Sequence, residues 1–151
     1  MKLVRFCTLL AVLTVLVPGL ATADEVIGHT KIVNGHVAVL RDGVEILVKG
    51  GDELFRKDIL ITGGDGSAGL TFKDNSRLSL GANSRLTFRE FQFEPGKDKL
   101  SFISELAHGT LQYISGVIAK LAPDAVFVIT PVATIAVRGT RFLVNIPKKD
   151  G

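Results

Sequence analysis

The chain has 151 residues, a formal net charge of +3 and one cysteine, Cys7. Two of the positive charges, Lys2 and Arg5, lie at the N-terminus, so the segment after residue 23 carries about +1 and gives no indication of nucleic-acid binding. A single cysteine excludes a disulfide framework and a thiolate metal site. The 128 residues after position 23 suffice for one domain, which buries roughly two-thirds of the surface of its unfolded chain.

The first 23 residues have the pattern of a secretory signal peptide. A basic start precedes an apolar core at residues 6–17, and residues 21–23 (ATA) form a small-residue cleavage site. The twelve residues of the core fall short of the roughly 20 that span a bilayer, so we predict cleavage in preference to an uncleaved membrane anchor. Cys7 lies inside the core, not directly after the cleavage site, so lipid attachment is not expected. The predicted division is a signal peptide at 1–23 and one domain at 24–151.

From Ile27 onward the chain consists of short β-forming runs separated by turn residues. No window of a dozen residues has the 3.6-residue apolar period of a helix, so the pattern predicts an all-β domain. Asn34 and Gly35 separate two of these runs, and Asp42 and Gly43 separate the next two. Both dipeptides favour the positive φ angles of hairpin turns, so we expect two hairpins in succession.

The central segment contains a repeat of eight residues. Residues 76–80 (SRLSL) recur as residues 84–88 (SRLTF), and residues 68–72 form a looser copy. Alternation predicts a buried set, Leu70, Phe72, Leu78, Leu80, Leu86 and Phe88, and an exposed set, Thr71, Arg77, Ser79, Arg85, Thr87 and Arg89. Such repeats fit either a tight antiparallel meander or the coils of a solenoid. The predicted fold is therefore a short-stranded β roll or a solenoid-like sandwich.

The last third of the chain returns to apolar runs after a polar loop at residues 94–99. These runs are residues 100–106, 110–115 and 117–121, of which the last also fits a helix. Residues 126–130 form a near-continuous apolar run after Pro123. We expect this run to be a strand covered on both faces at the centre of the core.

Residues 130–142 (TPVATIAVRGTRF) combine β-forming residues with a turn at Arg138 and Gly139. This segment closely resembles the signature of FecR-type domains of the bacterial cell envelope. Further resemblances follow the family order at residues 34–37, 41–43, 51–54, 58–63, 70–72, 76–81, 109 and 115–116. The resemblance thus covers nearly the whole predicted domain.

The resemblance implies a β-rich module for protein–protein interaction that is periplasmic or secreted. In full-length FecR proteins such a module relays a signal from an outer-membrane receptor to a cytoplasmic sigma factor. Only five residues precede the apolar core here, so we expect no sigma-factor-binding segment and no direct sigma-factor regulation. The chain also stops soon after Ile146, where family domains commonly continue into another strand.

The C-terminal end supplies the first group of partner-binding candidates, namely Arg138, Thr140, Arg141 and Leu143. A last strand at residues 140–146 without a following partner would present an open edge, and open edges recruit strands from other chains. Lys148 and Lys149 offer the alternative that the edge is protected by charge. The Arg138 guanidinium suits a carboxylate on a partner, but turn chemistry explains Arg138 and Gly139 without a ligand, so the structural role is favoured.

A second group of candidates is Arg77, Arg85 and Arg89, on the polar face of the repeat. A stripe of arginines suits acidic glycans or anionic lipid head groups. A solvated face that discourages edge pairing explains the same residues and is the favoured interpretation.

No catalytic residue, cofactor or metal site is predicted. The three histidines, His29, His36 and His108, are far apart and have no acids at ligand spacing. Residues 63–67 (GGDGS) lack the Lys-Ser/Thr of a phosphate loop and lead into a strand, so they predict a turn. The four aspartates Asp52, Asp58, Asp65 and Asp74 are typical of turns, and no calcium loop is present around them.

These patterns predict an exported, non-enzymatic FecR-like domain that binds a protein partner in the cell envelope, in signalling or surface assembly. The alternative is a module that binds polysaccharide or cell-wall polymer through the arginine face. An enzyme is disfavoured because no nucleophile–base pair or carboxylate pair can be assembled from the sequence.

The first prediction concerns the mature N-terminus. Cleavage after Ala23 makes Asp24 the first residue of the exported protein. Mass spectrometry of the exported protein measures this directly, and an intact N-terminus in the membrane fraction contradicts it.

Overall fold

The computed structural model describes residues 24–149. The predicted signal peptide lies outside the described residues. The protein is mostly β, and its strands form one curled, largely antiparallel sheet with the shape of a half-barrel. The all-β prediction is confirmed.

Twelve strands and one short helix make up the described chain. The strands are β1 (Val26–Asn34), β2 (Val37–Arg41), β3 (Val44–Leu47), β4 (Glu53–Phe55), β5 (Ile59–Thr62), β6 (Ser67–Phe72), β7 (Arg77–Leu80), β8 (Arg85–Glu94), β9 (Lys99–Ile114), β10 (Val126–Ile129), β11 (Thr134–Ala136) and β12 (Arg141–Ile146). The helix α1 spans Val117–Leu121, and 3-10 turns lie at Pro95–Lys97 and Pro123–Ala125.

The long strand β9 divides the sheet into two layers. The first layer has the order β4, β1, β6, β7, β9 and β12, and uses the second half of β9. The second layer has the order β3, β2, β5, β8, β9, β10 and β11, and uses the first half of β9. Pairing is antiparallel except between β9 and β10. Because β9 belongs to both layers, the sheet rolls around it.

Gly109 lies at the bend where β9 passes from one layer to the other. Its φ is +101°, a backbone conformation that residues other than glycine rarely adopt. A Cβ atom at this position would overlap the backbone and side chain of Ser84. The buried Ser84 hydroxyl accepts a hydrogen bond from the Thr110 N–H at 3.0 Å and donates one to the Gly81 carbonyl at 2.9 Å. The loop between β7 and β8 is thereby held against the bend.

The core between the layers contains the residues that the repeat predicted. Leu70, Phe72, Leu78, Leu80, Leu86 and Phe88 are all buried. Aromatic rings fill the centre: the ring centroids of Phe72 and Phe102 lie 4.7 Å apart, and Tyr113 stacks on Phe142 at 5.5 Å. The six residues of the predicted exposed set are all exposed or partly exposed. The predicted alternation is therefore confirmed.

One of the two predicted hairpins forms. Asp42 and Gly43 have φ angles of 49° and 80° and connect the paired strands β2 and β3. The hairpin expected at Asn34 and Gly35 is wrong, because β1 pairs with β4 and β6 in the first layer whereas β2 pairs with β3 and β5 in the second. Gly35 does have a positive φ of 61°, but the turn carries the chain between layers.

Three later apolar segments can be compared with their sequence pattern. The apolar runs at residues 100–106 and 110–115 form the single strand β9, which bends at Gly109. The run at residues 126–130 is a strand, but the expectation that both faces are covered is wrong: Val126 and Val128 are buried, whereas alternate residues of β10 are partly exposed. The reason is that β10 lies in the second layer, where only one face contacts the core. The alternative of a helix at residues 117–121 is correct.

The alternation of buried and exposed residues predicts opposite effects for two substitutions on β7. We expect Leu80→Asp to unfold the domain, because Leu80 is buried and an unpaired charge there costs at least about 4 kcal/mol. Ser79→Asp adds the same charge at an exposed position and should change the stability little. Thermal melts followed by circular dichroism compare the two, and equal melting temperatures contradict the burial pattern.

Candidate functional site

Strand β12 forms one edge of the first layer. It pairs with β9 from Arg141 opposite Ile114 to Ile146 opposite Gly109, and among residues 24–149 no strand pairs with its other side. The side chains of Phe142, Val144 and Ile146 pack against the core, whereas those of Arg141, Leu143 and Asn145 are exposed. Leu143 is 68% exposed, which is high for a large apolar side chain. This edge is the candidate site.

The hydrogen-bond phase of β12 determines which of its backbone groups are free. The Ser115 N–H donates to the Thr140 carbonyl at 3.0 Å, so the pair formed by residues 140 and 115 is hydrogen-bonded. Hydrogen-bonded and non-hydrogen-bonded pairs alternate in an antiparallel ladder, so residues 142, 144 and 146 also bond to β9. Arg141, Leu143 and Asn145 therefore direct their N–H and C=O groups away from β9, towards the open edge.

The structure brings Arg141 and Arg77 together on the outer face of the first layer. Both residues lie opposite Ile114, Arg77 from β7 on one side and Arg141 from β12 on the other. Two strand spacings place their Cα atoms roughly 10 Å apart. In the neighbouring row, Gln112 lies between Leu143 and Ser79. Two arginines and an exposed leucine thus lie on the same face next to the open edge.

The predicted stripe of three arginines is not continuous. Arg85 lies opposite His108 in the second layer, on the far side of the Gly109 bend from Arg77. The Arg89 guanidinium forms an ion pair with the Glu105 carboxylate on the adjacent strand β9. The structure therefore separates Arg77 from Arg85 and engages Arg89 within the sheet.

Arg138 and Thr140 serve the turn between β11 and β12. The Arg138 guanidinium lies 2.6 Å from the Asp124 carboxylate, and both side chains are largely exposed. The Thr140 carbonyl accepts the Ser115 N–H, as above. These contacts agree with the structural role that the sequence favoured for Arg138.

The four loop aspartates bind the protein's own backbone. The Asp52 carboxylate accepts the Lys49 N–H at 2.9 Å, Asp65 accepts the His36 N–H at 3.3 Å and Asp74 accepts the Ser76 N–H at 3.0 Å. Asp58 accepts the Phe55 N–H at 2.9 Å. Across residues 24–149, no group of three or more His, Cys, Asp or Glu side chains is arranged to hold a metal ion.

The ion pair between Asp58 and Arg41 is a feature that sequence reasoning missed. The Arg41 guanidinium donates two hydrogen bonds to the carboxylate, at 2.8 and 2.7 Å, and the Asp58 side chain is only 1% exposed. The hydrogen bond to Asp58 raises the pKa of Arg41 above its ordinary value. Pairing of β2 with β5 brings the two residues together, with Leu40 opposite Ile59, and their separation in the sequence gives no signal of this.

The fold is an all-β domain in which β12 is an open edge strand with one arginine and an exposed leucine. A family model described as FecR protein matches residues 58–151, which is more than half of the chain, so the chain belongs to the FecR family. The match begins at Asp58, and the resemblance described for residues 34–54 lies outside it. No curated protein and no solved structure matches the chain significantly.

Family membership indicates a signalling-related protein of the cell envelope, in a family that is generally regulatory and not enzymatic. Within residues 24–149, no helix has the length and apolar character needed to cross a membrane.

The two ion pairs generate a prediction about stability. Asp58→Ala should destabilise the domain by about 3 kcal/mol, because it leaves Arg41 without its partner and the Phe55 N–H without its acceptor. Arg138→Ala should cost less than about 1 kcal/mol, because its ion pair with Asp124 is solvent-exposed. Urea unfolding of both variants tests this, and a larger loss for Arg138→Ala would show that the turn contributes more than its contacts indicate.

Proposed function

We propose that this protein is an exported, non-enzymatic FecR domain that binds a protein partner in the cell envelope by strand addition along β12. One observation carries the proposal: Arg141, Leu143 and Asn145 present both their side chains and their unpaired backbone groups at the same edge. A partner strand would gain main-chain hydrogen bonds from this edge and specificity from the alternate side chains.

The sequence of β12 gives the edge little protection. Charged lysines, prolines and bulges are the usual devices that prevent edge pairing. Lys148, Lys149 and Pro147 follow the end of the strand at Ile146, so they flank the edge and do not interrupt it. Arg141 is the only charged residue within the strand. The alternative in which charge blunts the edge is therefore less well supported.

The chemistry of the edge indicates the partner strand it would accept. Arg141 and Arg77 lie on the outer face and suit carboxylates on a partner. Beside the end of β12, a cavity of about 570 Å³ is lined mainly by apolar residues, including Val132 and Ile146. Phe142, Val144 and Ile146 of β12 face the core, so the inward side chains of an added strand would continue an apolar face. We infer a strand with acidic residues on one face and apolar residues on the other.

Export of the protein to the periplasm or cell exterior belongs to the same proposal. Its supports are the N-terminal signal pattern and the envelope association of the family. The alternative, binding of polysaccharide through Arg77, Arg85 and Arg89, is less well supported because the bend in β9 separates the first of these arginines from the other two.

Site-specific crosslinking tests the proposal. In a Cys7→Ser background, Leu143→Cys carries a photoreactive maleimide at the proposed edge, and Gly96→Cys carries it at the exposed 3-10 turn as a control. We expect a defined crosslinked protein from position 143 and none from position 96. Equal crosslinking from both positions contradicts a specific edge site.

Three further variants separate the contribution of the backbone from that of the side chain. Leu143→Pro removes an N–H that points to the open edge, so the fold should persist while partner binding is lost. Leu143→Thr keeps the N–H and should bind more weakly than the wild type but better than the proline variant. Val144→Pro removes an N–H bonded to β9 and should destabilise the strand. Unchanged binding by a folded Leu143→Pro variant rules out strand addition at this position.

A further inference from the structure

We propose that the partner of β12 is β3 of a second copy of this chain, so that copies join head to tail through opposite edges of the roll. This inference rests on the proposed strand addition at β12 and names its partner. It follows from the geometry, charge and apolar character of the two edges.

Strand β3 is one open edge of the second layer, and its hydrogen-bond phase matches that of β12. The Val48 N–H donates to the Val37 carbonyl at 3.1 Å, so alternation along the ladder makes residues 44 and 46 bond to β2. Glu45 and Leu47 therefore direct their backbone groups to the open side, where no strand pairs with them within residues 24–149. All four residues of β3 have exposed side chains.

The side chains of the two edges are complementary. On the outer face, β3 presents Glu45 and Leu47, and β12 presents Arg141 and Leu143. Leu47 and Leu143 are each 68% exposed. In an antiparallel register with Glu45 opposite Leu143, the pairs Glu45–Arg141 and Leu47–Leu143 are diagonal neighbours, within reach of long side chains, and such pairs of opposite charge or apolar character stabilise strand pairing. Glu45 has only an exposed contact with His36, at 3.6 Å, so its carboxylate is accessible to Arg141 of another copy.

The inner faces of both edges are apolar and incompletely covered. On β3, Val44 is 60% exposed and Ile46 is 40% exposed, and Ile46 lines a cavity of about 600 Å³ between the two layers. On β12, Ile146 lines the cavity of about 570 Å³ described above. Joining β3 to β12 would make the sheet continuous and cover apolar side chains at both open ends of the roll.

Pairing between identical edges is disfavoured by charge. Two antiparallel β12 strands would bring Arg141 of each copy towards Lys148 and Lys149 of the other, and like charges across an interface repel. A contact between different edges is heterologous, so it propagates into a chain of copies unless the rotation between them closes a ring.

Charge reversal tests the proposal with the purified protein. Wild-type protein should show concentration-dependent association in sedimentation velocity from low micromolar to near-millimolar concentrations. Glu45→Arg and Arg141→Glu should each weaken association roughly ten-fold, since each replaces an attraction with a repulsion. A mixture of the two variants should associate like the wild type, because each interface again joins opposite charges. Glu94→Arg makes the same charge change at the turn before β9, away from both edges, and is the control.

The outcomes distinguish this inference from the function on which it rests. Circular dichroism melts should match for all three variants, because the altered residues are exposed. A wild-type protein that stays monomeric throughout, or a mixture that fails to associate, overturns head-to-tail pairing. If crosslinking from position 143 then captures a different envelope protein, strand addition at β12 stands and only the identity of the partner changes. If Arg141→Glu weakens association and Glu45→Arg does not, β3 is excluded as the partner.

Discussion

The shared strand β9 is the constraint on which the rest of this structure depends. Its first half pairs with β8 and β10, and its second half pairs with β7 and β12, so both layers are fixed to one continuous backbone. The change of direction between the halves requires the positive φ of Gly109 and the absence of a side chain beside Ser84. Gly116, with a φ of −102°, also packs closely against Asp74 and Ser76. The two close copies of the repeat, at residues 76–80 and 84–88, thus both begin with a buried serine that packs against a glycine.

This arrangement determines where the sheet ends. A closed barrel has no edges, whereas a sheet rolled around one shared strand keeps an edge at each end of both layers. The edges differ in chemistry because they come from distant parts of the sequence: β3 is acidic and apolar, and β12 is basic and apolar. Such a domain has exposed strands available for binding. The ion pair between Arg41 and the buried Asp58 carboxylate, by contrast, serves the fold.

Binding through an edge is consistent with the FecR family, whose members are signalling-related proteins of the cell envelope. Strand addition takes its affinity mainly from the backbone and its specificity from a few alternate side chains. Under the proposed strand addition, a change at Leu143 or Arg141 would alter partner choice without repacking the core, since both side chains are exposed. In this protein the repeat contributes buried residues to the core, and the proposed contact surface is β12, which begins at the end of the signature segment.

The sequence by itself determined the fold class, the alternation of the repeat and the family, because these depend on local patterns of residues 68–88 and 130–142. It also predicted the last strand, β12. It did not determine that Asn34 and Gly35 change layers, that β10 is covered on one face, or that Arg41 meets Asp58. Only the tertiary structure decided these points, since each depends on which distant strands become neighbours. Arg77 lies near Arg141 and not near Arg85 for the same reason. The bend of β9 at Gly109 determines which strands lie beside each arginine, and such a bend leaves no periodic pattern in the sequence.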